Sequence, residues 1–535
     1  VPGRTDRVVV VGAGLGGLSA ALHLAGAGRE VTVVEREDVP GGRAGRWSAA
    51  GYTFDTGPTV LTMPELLEQA FAAVGASMSD HLELMPLDPL YRAIFPDGST
   101  LDVRSGVEAM AAEIQQVCGG AEADGYRRFV AFVSELYGLE MNAFIDRNFD
   151  HPWSLELRPL ARLVAIGGLR RLAPKVASYL KDPRTRRLLS FQAMYAGLSP
   201  YDAFAIYAVI SYLDSVAGVY FPRGGMQAVP QALAAAATKA GVQFRYGSAV
   251  QRVDVRGGRA RGVILDNGDT ISADAVVLTP DAPVAMRELL APEAAGRVWK
   301  WRLPRQQYSP SCFLLLAGSS QAYPGAAHHT ISFGRAWRRT FTELIDRHEL
   351  MSDPSLLVTC ASASDPALAP PGRHTYYALA PAPNLDARLD WSVIGPRYRD
   401  EVVDTLEQRG WVGFGSGIEV ERITTPADWR AQGLERGAPF AAAHTFRQTG
   451  PLRVPNLVPG VENVVLAGSG TVPGVGVPMV LVSGRLAAQR ITGAQLERRP
   501  RAAQADLLAA EQPARRGVVV AQPFGERGQP NRAGQ

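Results

Sequence analysis

The stretch VVVVGAGLGGLSAALHLAGAG, residues 8–28, decides the fold. Val8–Val11 is a β-branched run without polar alternation, the pattern of a strand buried on both faces of a parallel sheet. Gly12, Gly14 and Gly17 follow as G-x-G-x-x-G. Leu18 to Ala27 then carries apolar residues at helical spacing, and Gly28 stops the helix. Strand, glycine turn and helix in this order open a dinucleotide-binding βαβ unit. The first glycine permits the tight turn, the second lets backbone approach a pyrophosphate, and the third lets helix and strand pack closely. The helix N-terminus directs N–H groups and partial positive charge at the phosphates. A second strand over 30–35 ends in Glu35, 23 residues after Gly12, where a carboxylate accepts the ribose hydroxyls.

Working outward, Gly41-Gly42-Arg43 places an arginine where it can pair with a pyrophosphate. Near the far end, Asn463–Ala467 reads as a buried strand feeding a second glycine-rich loop, GSGTVPGVG (468–476), and then apolar Val477–Val482. Two such loops suit a cofactor larger than one nucleotide half. No second G-x-G-x-x-G occurs, so a separate NADPH domain is not expected. No cysteine lies near 468–484, so covalent flavin attachment there is excluded.

Between the loops, residues 106–219 read as mostly helical. Val242–Tyr246, Val250–Val255, Arg261–Leu265 and Thr270–Ile271, with turns at Gly257-Gly258 and Asn267-Gly268, read as a β-meander. Ala275–Leu278 reads as another buried strand, 301–444 as a mixed region, and 496–535 as a disordered tail. The fold expected is α/β: a Rossmann-type domain of discontinuous segments (1–105, 220–300 and 445–495) with an inserted α+β substrate domain (106–219 and 301–444).

The chain has 535 residues, 46% of them hydrophobic and 20% charged, enough to bury large cores. Its net charge of +3, with only four lysines among 55 basic residues, gives no reason to expect nucleic acid. Three scattered cysteines exclude a disulfide scaffold, a zinc ribbon and a dithiol flavoenzyme. No apolar run approaches the roughly 18 residues that span a bilayer; Ala203–Leu213 is cut off by Asp214. A signal peptide is not expected, because the first apolar run leads straight into the glycine loop.

Further stretches carry a resemblance: VVEREDVPGGRAG (33–45), FDTGPTVLT (54–62), GVYFPRGGMQAVPQAL (218–233), AHHTISFG (327–334), DPSLLVT (353–359), YYALAPAPNL (376–385) and NVVLAGSGTVPGVGVPMVLVSGR (463–485). The chain resembles bacterial carotenoid desaturases of the phytoene desaturase type, within the amine-oxidase-like flavoproteins. The resemblance implies noncovalently bound FAD, phytoene and other C40 carotenoid intermediates as substrates, lycopene as end product, and a quinone or oxygen as electron acceptor. It implies cofactor contacts at Gly12, Gly14, Gly17, Glu35, Gly42 and Arg43. It also implies contacts at Gly57, Pro58, Thr59, Gly468, Gly470, Val477, Pro478 and Met479, and a backbone contact to adenine at Val253. No metal is implied. The rivals on the same scaffold are a carotene isomerase, a C30 or ring-modifying desaturase and an amine oxidase; a flavin-free lipid chaperone is the rival from another class.

Such a reaction removes a hydride from an allylic carbon and a proton from its neighbour. The protein must orient a chain without polar handles, and no Ser/His/Asp, HExxH or paired-carboxylate pattern appears. Candidates for an apolar tunnel are Phe191, Met194, Tyr195, Phe204, Tyr207, Tyr212 and Phe221. Candidates for proton handling or flavin contact are His329, Arg223, Asp146 and Arg147. Adjacent His328 and His329 cannot both face one site from a strand. A hydrocarbon substrate implies a membrane lipid surface, here the cytoplasmic face of the cell membrane, with the protein bound peripherally. The segment 158–187 holds nine basic residues against one acid, Asp182, with apolar residues interleaved, and is the expected docking surface.

Overall fold

A computed structural model describes residues 1–149, 155–290, 299 and 301–493; the tail expected over 496–535 lies outside them. Its centre is a five-stranded sheet, all parallel, in the order Val464–Leu466, Ala275–Leu278, Arg7–Val11, Glu30–Val34, Gln243–Arg245. Segments from three distant parts of the chain thus share one sheet. Val8 to Val11 lie between two neighbours and are buried, as their unalternating apolar pattern requires.

The Leu15–Gly26 helix and the closing Val477–Thr492 helix pack against each other. The approach is tight because it is built on glycine: a Cβ at Gly484 would stand 2.2 Å from the Gly16 carbonyl oxygen. The buried Ser19 hydroxyl donates to the Leu481 carbonyl across the same interface.

One expected strand pairs elsewhere. Gln243–Arg245 does not begin the meander but joins Glu30–Val34 in parallel at the edge of the main sheet. The antiparallel meander is Val250–Arg256, Arg259–Leu265 and Thr270–Ser272. A three-residue strand carries too little pattern to choose between parallel and antiparallel partners.

A seven-stranded sheet runs Ile418–Thr424, Ser311–Ser319, His374–Ala382, Leu356–Thr359, His329–Ser332, Tyr91–Ile94, Thr100–Val103. Ser311–Ser319 is buried at every position and is flanked on both edges by antiparallel partners. Helices Gly120–Glu140, Leu157–Ala165, Leu172–Tyr179 and Val209–Ser215 share a core with the Tyr91–Val103 hairpin. No helix among the described residues is long and apolar enough to cross a membrane.

Candidate active site

Two helices begin at one place. Gly14 caps the Leu15–Gly26 helix and Gly476 caps the Val477–Thr492 helix, and both ends line one cavity of about 1410 Å³. Clefts for single small ligands run roughly 300–1,000 Å³, so this one has room for more than one. Helix N-termini present unpaired N–H groups and favour negative charge.

The glycines are required by geometry. Gly12 has φ +103, and a Cβ there would meet the Thr279 hydroxyl at 2.2 Å. A Cβ on Gly17 would stand 2.1 Å from the Gly12 carbonyl oxygen. Gly14 differs: its nearest neighbour would be the Gly42 Cα at 4.0 Å. Its missing side chain leaves space on the cavity wall, which is what a pyrophosphate needs.

Glu35 follows the Glu30–Val34 strand directly and is buried at that wall. Its Oε2 accepts from the Ala13 N–H at 2.6 Å and its Oε1 from the Glu37 N–H at 3.0 Å. Each carboxylate oxygen has a second acceptor site, so the group is oriented by backbone and still has capacity for ribose hydroxyls. Arg43 reaches across the cavity to donate to the Pro439 carbonyl at 2.9 Å. Burial lowers its pKa, opposed by the charge of Asp281; burial raises the pKa of Asp281, opposed by Arg43. The second loop is anchored by Arg453, which is buried and donates to the carbonyls of Thr471 (3.0 Å) and Ser469 (2.7 Å). Burial brings its pKa down to about 10.

The cavity wall thus includes Gly12, Gly14, Glu35, Gly42, Arg43, Gly57, Pro58, Thr59, Gly468, Val477, Pro478 and Met479. The Tyr377 hydroxyl donates to the Gly57 carbonyl at 2.9 Å and fixes that turn. A cradle open at Gly14, an oriented carboxylate, a guanidinium and two helix N-termini fit FAD.

Other expected residues stand elsewhere. Gly17 serves helix–strand packing behind the wall. Gly470 packs on Asp281 and Ala282, where a Cβ would come within 2.6 Å of Asp281 Oδ1. Val253 is buried in the core under the meander; the meander residue on the cavity is Val250, with Ser248 and Ala249 before it. Arg223 does not line the cavity; it is exposed and paired with Glu83 at 2.7 Å. Asp146 pairs with Arg485, and Arg147 with Glu156; they do not pair with each other. His329 is fully buried behind the wall, its Nδ1 2.9 Å from Thr359 Oγ1. His328 is also buried, 2.7 Å from Ser364 Oγ, and burial takes its pKa down to about 3.

Beyond the glycine loops the wall becomes apolar. Of the tunnel candidates, Tyr195, Phe204 and Tyr207 line the cavity. Phe191 and Met194 line a separate small pocket, Tyr212 stacks on Tyr137 at 4.7 Å, and Phe221 is buried against His328. Val164, Leu169 and Phe446 also line the cavity, and all three are exposed. Sequence reading missed Thr279 and Asp281, which follow a parallel strand at its C-terminal end, the place where such sheets bind ligands. It also missed Tyr91, Glu140, Asp214 and His444 on the apolar portion.

The profile of the flavin containing amine oxidoreductases matches residues 15–492. A phytoene dehydrogenase of Streptomyces griseus is 55% identical over 94% of this chain and 98% of its own length. A zeta-carotene-forming phytoene desaturase of Myxococcus xanthus is 38% identical over 91% and 93%. A lycopene-forming phytoene desaturase of a Paracoccus species is 34% identical over 90% and 96%. Among solved structures, cyclohexylamine oxidase from Brevibacterium oxydans shares the fold with a TM-score of 0.56 at 18% identity, over 92% of this chain and 99% of its own.

Proposed function

Because the chain belongs to the flavin containing amine oxidoreductases and, among them, to the phytoene desaturase family, we propose that it introduces double bonds into phytoene toward lycopene, passing the electrons to a quinone or oxygen. The observation that carries this reading is the continuity of one cavity, from the glycine loops at Gly14 and Gly476 to an apolar rim at Val164, Leu169 and Phe446. A dinucleotide cofactor and a long hydrocarbon need such a shared space.

The bound flavin supplies the hydride acceptor. The protein supplies alignment. Tyr195, Phe204 and Tyr207 hold an apolar chain by packing alone, so register along the tunnel decides which bond reacts. Burial within these walls excludes water from the charge that develops on the polyene. A linear substrate of matching halves enters from either end, so one site serves successive steps.

The substrate resides in lipid, so the rim meets the membrane, with the protein bound peripherally at the cytoplasmic face. Val164, Leu169 and Phe446 are exposed apolar side chains there, and Leu157 is exposed on the same helix as Val164. Much of the basic segment 158–187 is committed internally: Arg162 to Glu135, Lys175 to the Ile166 carbonyl, Arg184 to Asp182, Arg187 to the Gly334 carbonyl. Among the described residues Arg158 and Arg170 remain available for anionic headgroups, each contributing about 1 kcal/mol.

The test is incubation with phytoene in liposomes plus a quinone, with products resolved by chromatography over time. Intermediates of progressively longer conjugation are expected. Products altered only in double-bond geometry would favour an isomerase.

A further inference from the structure

We propose that Asp214 is the residue that accepts the proton lost from the substrate at each desaturation. The proposal rests on the desaturase reading above and names a group it leaves unassigned.

Asp214 lies on the Val209–Ser215 helix and lines the apolar portion of the cavity, beside Ile210 and Leu213. It is 6% exposed, and its Oδ2 is buried without a hydrogen-bond partner. A buried carboxyl in an apolar wall costs stability, and no cation among the described residues offsets it. The groups that face it are neutral. They are the Gln192 amide, the Tyr91 phenol and the Tyr195 phenol. From the neighbouring Gly120–Glu140 helix, Tyr126 and Tyr137 pack onto Ser215 and Tyr212 of the same Val209–Ser215 helix.

A chain of contacts ties this side of the cavity to the cofactor portion. The Tyr91 ring lies 5.5 Å from the His329 ring, His329 Nδ1 is 2.9 Å from Thr359 Oγ1, and the Thr359 hydroxyl reaches Thr59 Oγ1 at 3.5 Å. Thr59 is on the cavity wall beside Gly57 and Pro58. Asp214 and Thr59 thus line one and the same cavity, linked through the wall by these contacts.

Its acidity suits the task. Burial pushes the carboxyl up to about 7, with Gln192 and Tyr91 limiting the rise. A base near neutrality combines an ionised fraction with useful proton affinity. Two other polar groups on the wall do not qualify. Burial alone raises Glu140 well above the usual carboxylate range with nothing opposing it, whereas Gln192 and Tyr91 face Asp214 and limit its rise. Burial and the charge of Arg453 oppose protonation of His444.

One C–H bond breaks with its electron pair, the hydride going to the flavin. The adjacent C–H bond breaks, its proton forming an O–H bond on the Asp214 carboxylate, and the electron pair left behind forms the new C=C bond. A quinone or dioxygen takes the two electrons before the next turnover.

The experiment compares the wild-type holoprotein with Asp214→Asn and Asp214→Glu on liposomal phytoene plus quinone across the neutral pH range. In parallel, infrared spectroscopy follows the protonated carboxyl band of the resting proteins. Wild-type kcat/KM is expected to rise with pH through about 7, and a carboxyl band is expected to titrate over the same range and to vanish in Asp214→Asn. Asp214→Asn should keep its flavin and its uptake of phytoene but lose roughly 10²–10⁴-fold in rate, with a flat residual pH profile; Asp214→Glu should regain part of the rate. Asp214→Asn with the wild-type rate, or with the wild-type pH profile, would overturn the proposal while leaving the desaturase reading intact. A wild type that leaves phytoene unchanged would overturn both.

Discussion

At Gly14 a side chain has one direction to go. The backbone there is ordinary (φ −72) and no protein atom lies closer than 4.0 Å to an added Cβ, so Gly14→Val should fold normally and fill the space the pyrophosphate needs. Loss of bound flavin at an unchanged content of secondary structure is the expected result, read from the visible absorption and circular dichroism of the purified protein. Asp214 gives a second prediction, on stability. Its folded-state pKa is raised from 3.8 to about 7, so the folded state binds the proton more tightly. The stability this contributes is full below about 3.8 and is lost as pH rises through about 7. Asp214→Asn should therefore be more stable than wild type above neutrality, by on the order of 4 kcal/mol, and should show a weaker fall with pH in denaturant titrations. Glycines with a steric reason, such as Gly12 and Gly17, were legible because the motif states that reason. Val253 and Gly470 were not, since a position carried over by resemblance does not say which way the residue faces. Asp214 left a signal, a lone acid closing the apolar run 203–213, but that run was read only for membrane length.

Among the elements, the contact of the Leu15–Gly26 and Val477–Thr492 helices brings both N-termini to the cavity. Gly484→Val should force them apart, since even a Cβ meets the Gly16 carbonyl oxygen at 2.2 Å and the Ala20 nitrogen at 2.8 Å. Overpacking of this kind costs about 1–3 kcal/mol, and a lower Tm together with weakened flavin retention is expected. A lower Tm with full flavin retention would show that the second helix does not help hold the cofactor. Strands with long apolar runs were readable one at a time: Val8–Val11 and Ala275–Leu278 each declare burial on both faces. Their order in the sheet was not readable, because the pairing of residue 8 with 275 and of 276 with 464 is a property of the closed chain. Arg453 is the same kind of case: it is a lone arginine in sequence and an anchor of the Ser469–Thr471 loop only after folding.

In the molecule as a whole, the dinucleotide cradle, the apolar walls and the exposed apolar rim belong to one cavity. Val164→Glu with Leu169→Glu places two charges on the exposed rim without touching the glycine loops. Sedimentation with anionic liposomes and turnover of liposomal phytoene should fall together, while flavin content and Tm stay near wild type; unaltered liposome binding would assign docking to another surface. The most direct test of the central claim is a single turnover without oxygen or quinone. Oxidised protein is mixed with phytoene liposomes, and the loss of the visible flavin band is recorded against the product formed. The account predicts bleaching of one flavin for each new double bond, and no further product until a quinone is added. Product that accumulates while the flavin band stays intact would contradict it.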